Sequence, residues 1–127
     1  MDIINWLEDW LESNCDGGWE HLYGVDNKTI DNPGWHLKLN ILDTLYEDVT
    51  FDDITIDRTE HDWVRCKKSD GNIDCAGGPR NLNEMLGIIK KWMEDNKPDP
   101  AVLEEHNREV MEGREIHGIK FDSHKDI

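Results

Sequence analysis

Seven consecutive residues, Cys15-Asp16-Gly17-Gly18-Trp19-Glu20-His21, gather a thiol, an imidazole and two carboxylates in one short stretch. Such a set could serve as a thiol nucleophile with its base, or as ligands for a metal ion. The setting argues against both. A reactive thiolate needs electropositive surroundings, and the charged neighbours of Cys15 are Asp16 and Glu20. A metal site needs three or four converging ligands, and no second group with metal-ligand spacing occurs. The stretch reads as a cysteine buried behind a helix, a glycine turn, and a histidine hydrogen-bonded at the start of a strand. No catalytic residue, metal ligand or cofactor is expected.

Two other places carry binding chemistry. Gly77-Gly78-Pro79-Arg80-Asn81 leads into a helical pattern, where free N–H groups and Arg80 can meet an anion. It lacks the G-x-x-x-x-G-K-[ST] spacing of a P-loop, and a plain sheet-to-helix turn explains it as well. The chain also holds six tryptophans. Trp6, Trp10, Trp92 and Trp35 fall on apolar faces and read as core. Trp19 and Trp63 do not settle so simply. Trp63 has the opposite parity from Val64 and Cys66, beside Arg65 and Lys67, and aromatics with arginine are what interfaces use. Packing against a loop or the C-terminal segment is the alternative. The expected partner- or ligand-binding residues are Trp19, Glu20, His21, Tyr23, Trp63, Arg65 and Arg80.

The elements that would position these residues follow from periodicity. Asp2 can cap a first helix, in which Ile3, Ile4, Trp6, Leu7, Trp10 and Leu11 form one stripe ending near Asn14. From Trp19 the period falls to two, which predicts a strand through Tyr23 and Val25. Asp31-Asn32-Pro33-Gly34 is a turn, and Trp35, Leu37, Leu39 and Ile41 alternate with His36, Lys38 and Asn40 in the clearest strand. Strands follow around Ile54 and Ile56, from Trp63 to Lys68, and from Ile73 to Ala76. Asn81 and Glu84 resemble a capping box for a helix whose stripe is Leu82, Met85, Leu86, Ile89, Trp92 and Met93. Pro98 and Pro100 form a linker before a short third helix through Val102, Leu103, His106 and Val110.

Short turns favour antiparallel pairing. The expected fold is therefore α+β: an N-terminal helix, an antiparallel meander of about five strands, a second helix on one sheet face, and a C-terminal helical appendage. The domain would span residues 1–96, with a linker, short helix and polar tail in 97–127. If Lys38, Arg65, Lys67, Lys68 and Arg80 share the open face, a basic, aromatic-bearing patch results, although pairing with Asp57 would mask part of it.

Composition sets the outer limits. The 127 residues suit one domain, and a formal charge of −15 disfavours direct nucleic-acid binding and anionic membranes while favouring basic partners. No run approaches a membrane span, and the acidic N-terminus does not read as a signal peptide. Cys15, Cys66 and Cys75 are odd in number without a C-x-x-C pair, which fits reduced thiols in the cytoplasm.

One set of blocks goes further. Trp10, Cys15-Asp16-Gly17-x-Trp19-Glu20-His21-x-Tyr23-Gly24, Asp31-Asn32-Pro33-Gly34-Trp35, Trp63, Gly77-Gly78-Pro79 and Trp92 together resemble the bacterial immunity protein 53 family over roughly residues 1–95. The resemblance implies a small cytosolic protein of a polymorphic toxin system that neutralises a cognate toxin, and it implies no catalytic residues. Acidity then suggests a basic toxin such as a nuclease. The other reading left open is sequestration, a sponge for an anionic small molecule such as a nucleotide signal. An enzyme using Cys15, His21 and Glu20 is the weakest.

Overall fold

The computed structural model describes residues 2–117, and expectations for the tail beyond His117 lie outside the described residues. Helix α1 (Ile3–Asn14) starts where Asp2 accepts the Ile4 N–H at 3.0 Å, and it buries Trp10. A four-residue helix, α2 (Trp19–Leu22), comes next. Five strands follow: β1 (Val25–Ile30), β2 (Gly34–Asn40), β3 (Ile54–Thr59), β4 (Asp62–Ser69) and β5 (Asn72–Gly77). The chain then forms α3 (Leu82–Asp95) and α4 (Pro100–His117).

Every strand pair is antiparallel, as the short turns favoured for β1–β2, β3–β4 and β4–β5, and the architecture is α+β. The order is β1-β2-β5-β4-β3, so a hairpin and a three-stranded meander join through β2 and β5 and do not run in sequence order. Burial explains this order. β1 and β3 are the most polar strands and lie at the edges, where one side of the ladder meets water. β5 alternates Ile73 and Cys75, both fully buried, and takes the centre.

The apolar face of the sheet carries Leu37, Leu39, Val64, Cys66, Ile73 and Cys75, packed against Trp10 of α1 and Met85, Leu86, Ile89 and Met93 of α3. Burying such a set is worth roughly 1.5–3 kcal/mol per large side chain, which holds the two layers together. Segment 41–53 closes the core beside α3. Tyr46 and Phe51 pack on Trp92 with ring centroids 5.5 and 5.3 Å away. Lys68 donates to the carbonyls of Glu47 and Val49 at 2.7 and 2.9 Å, pinning this segment from the sheet.

Three local readings change. Residues 19–22 are one helical turn and not a strand, because Asp16 Oδ1 accepts the N–H groups of Gly18 and Trp19 at 2.8 Å each. Glu20 reaches back to the N–H groups of Asp16 and Gly17. Side chain to backbone bonds of this kind override period-two alternation. The Asn81–Glu84 pair does not cap the backbone, for Asn81 Nδ2 donates to Glu84 Oε1 at 3.0 Å. The third helix is longer than expected and its second half is seated on α1, with Val110 buried. Arg114 donates from Nε to the Cys15 carbonyl at 2.7 Å and also to the Glu12 carbonyl, which already accepts the Cys15 N–H, so its guanidinium binds the carbonyl end of α1.

Candidate functional site

The face of the sheet opposite the helices is assembled by register. One row across the strands reads Asp26, Lys38, Asp74, Lys67, and the next reads Lys28, His36, Ala76, Arg65, Thr55. Trp63 stands beyond them opposite Asp57, so the parity argument for its placement on the open side is realised. Arg65 lies over the Trp63 ring at 5.7 Å and pairs with Asp57 at 2.7 Å. A half-buried aromatic with a stacked guanidinium combines apolar area with a directional cation. His36 Nε2 meets Asp74 Oδ1 at 2.8 Å, both side chains about three-quarters buried. Between them Ala76 leaves a depression of about 400 Å³, bordered by His36, Asp74, Arg65, Lys67 and Thr55.

The patch foreseen from Lys38, Arg65, Lys67, Lys68 and Arg80 forms only in part. Lys68 has the core-face parity and binds segment 41–53. Arg80 lines a separate depression of about 450 Å³ with Arg58, His61, Asp62, Asn81 and Glu84. There Arg58 grips Glu84 with two bonds, of 3.0 and 2.6 Å, and Asp62 with one of 2.9 Å. Asn81 donates to both acids, so this cluster ties the β3–β4 hairpin to the start of α3. The Arg58 and Asn81 hydrogen bonds hold the Glu84 carboxyl down at about 2.

The remaining candidates lie around α1 and α2. Trp19 is 4% exposed, stacks edge-on against Trp10 at 5.8 Å, and donates Nε1–H to the Leu42 carbonyl. Glu20 is engaged by backbone N–H groups, while His21 is exposed and Tyr23 packs at 5.9 Å from Trp19. Burial, with Glu20 next, pushes the Cys15 thiol up, and its Sγ donates to the Leu11 carbonyl at 3.3 Å. A thiol held protonated is the opposite of an activated nucleophile. Cys66 and Cys75 are cross-strand neighbours in the core. Bonding to Cys66 and then burial push Cys75 well up. Among the described residues no group of three His, Cys, Asp or Glu is arranged to hold a metal, and no helix is long and apolar enough to cross a membrane.

The sequence reading missed the His36–Asp74 pair and the Arg58 cluster. Parity placed His36 on the open side, but nothing in a single strand says that β5 lies next to β2.

A two-layer α+β protein with helices on one face, and an aromatic, cation-bearing sheet face left uncovered by the described elements, is the class defined here. Within it, the chain belongs to the immunity protein 53 family, whose model matches residues 4–94. That membership brings an immunity-type role and implies a cognate toxin as partner. No curated protein and no solved structure gave a match to the chain.

Proposed function

We propose that the chain neutralises its toxin by direct protein–protein contact through the open sheet face, anchored by Trp63 and Arg65 on its β3–β4 side. Family membership supplies the role, and the uncovered face bearing the Trp63–Arg65 stack is the observation that carries the location. Five strands at the usual spacing make a platform of about 500 Å² in projection, which approaches the ~800 Å² per partner of a standard interface once side-chain relief is added. Exposed acids such as Glu8, Asp9 and Glu12 on α1, and Glu104, Glu105 and Glu109 on α4, lie on the helical elements. A net charge of −15 draws in a basic toxin, such as a nuclease, while the sheet face makes the contact. Trp19, Glu20 and Tyr23 act from beneath, by holding α2 and its turn, and the protein works in the cytoplasm without turnover.

Trp63→Ala should weaken toxin binding at least thirtyfold, as expected for an aromatic anchor of an interface, with the unfolding temperature little changed. Calorimetric titration of toxin into wild type and variant measures this. Undiminished affinity would move the contact elsewhere. A nucleotide bound tightly by the wild type and lost on Arg80→Ala would favour sequestration instead.

A further inference from the structure

The two rows of the open face differ in one respect. In the row Asp26, Lys38, Asp74, Lys67, acids and cations alternate, and Asp74 stands between two lysines. In the row Lys28, His36, Ala76, Arg65, Thr55, basic side chains stand on β1 and β4 with a histidine on β2, and the position equivalent to Asp74 holds Ala76. No carboxylate stands at the centre of this row, and the space one would fill is the depression lined by His36, Arg65 and Lys67, with Asp53 and Asp74 at its border. Neither Lys38 nor Lys67 has an ion-pair partner among the described residues.

We propose that this depression is a seat for one acidic side chain, an Asp or Glu carboxylate presented by the bound protein, held over Ala76 by Arg65, Lys67 and the His36 ring. The proposal rests on the open-face reading and specifies the chemistry of the contact. A carboxylate lowered onto Ala76 would complete a row of the same kind as its neighbour. Arg65 borders it on one flank, its guanidinium held by Asp57 at 2.7 Å and by the carbonyls of Ile56 and Val64 at 3.3 Å. His36 faces it from the other, its Nε2 fixed on Asp74. The overall negative charge does not forbid the site. At physiological ionic strength the screening length is about 8 Å, so acids on the far side of the helical layer contribute little, whereas Lys67 and Arg65 border the depression itself. The surrounding carboxylates, Asp53, Asp57 and Asp74, set the selectivity. A singly charged side chain fits between them better than a multiply charged phosphate does.

The full chain, labelled with nitrogen-15, can be titrated by NMR with N-acetyl-glutamate methylamide and with the glutamine equivalent. Saturable shifts confined to His36, Arg65, Lys67 and Ala76 are expected with glutamate alone, in the millimolar range of a single exposed carboxylate contact. Ala76→Asp supplies the missing acid from within, and it should abolish those shifts and weaken toxin binding at least tenfold. If that variant does not fold, Lys67→Gln replaces it and should cut the glutamate response several-fold. Equal responses to glutamate and glutamine overturn the proposal, and so does a tighter response to inorganic phosphate. Toxin binding unchanged in folded Ala76→Asp overturns it while leaving the toxin contact standing. Loss of toxin binding by Trp63→Ala is read separately, so the two ideas fail independently.

Discussion

Glu84 shows how a residue with obvious charge chemistry is put to structural use. Its carboxylate is gripped by Arg58 and Asn81, and those bonds hold its titration at about 2, against an ordinary value of 4.5. A folded value below the unfolded one means that the native state prefers the charged form. The contribution is complete above about pH 4.5, shrinks as pH falls, and is gone near pH 2. Arg58 and Glu84 remain partly exposed, and water screens such pairs, so the effect should be about 1 kcal/mol at most. Glu84→Gln should therefore flatten the acid limb of stability between those pH values and leave function at neutral pH intact. Thermal unfolding followed across that range measures it. An acid limb identical in variant and wild type would place the loss in other carboxylates.

At the scale of elements, α4 is the part whose relation to the rest calls for a test. The main apolar cluster draws only on residues up to Met93, which supports a self-sufficient body ending near Asn96. The second half of α4 nonetheless rests on the end of α1. Arg114 bonds the Cys15 and Glu12 carbonyls, Gly113 comes so close to the Asp16 carbonyl that a Cβ would lie 2.6 Å from it, and Gly17 (φ +100°) packs against the His117 ring. These contacts support a clasp on the 15–17 turn, outside the family match. A chain ending at Asn96 should still unfold in one cooperative step, while amide exchange at residues 12–17 rises at least tenfold. Arg114→Ala in the full chain should reproduce much of that rise. An insoluble or molten shortened chain would make Val110 and its neighbours part of the core.

For the whole molecule, the arrangement of charge matters more than its sum. The exposed acids of α1 and α4 lie on the helical elements, and on the open face cations and carboxylates nearly balance. In the proposed mode of binding, long-range attraction and short-range contact belong to different sides. The association rate with a basic toxin should fall steeply as salt rises from 50 to 500 mM, with a smaller change in the dissociation rate. Reversing Glu8, Asp9 and Glu12 to lysine should slow association severalfold and leave dissociation nearly unchanged. Stopped-flow measurement separates the two, and a variant that changes only the dissociation rate would put those acids inside the contact.

Much of this was legible in the residues. Helical and strand periods located α1, α3 and four of the strands because amphipathic burial leaves its mark at every third, fourth or second position. The parity of Trp63 against Val64 offered the open side, with packing against a loop or the C-terminal segment as the alternative, and the short turns favoured antiparallel pairing. The blocks around Cys15 and Asp31 indicated the family. Elsewhere local patterning had no power. A period of two could not exclude the turn of helix at Trp19, since the deciding bonds come from Asp16 and Glu20 to the backbone. The order of strands is a long-range choice, made when the most apolar short strand, β5, moves to the centre beside β2. Everything specific to the open face depends on that choice. His36 meets Asp74, and Ala76 falls between His36 and Arg65, only because residues 36, 65, 74 and 76 are brought side by side. Each strand determines which way its side chains point, and the tertiary structure alone decides which side chains they stand beside.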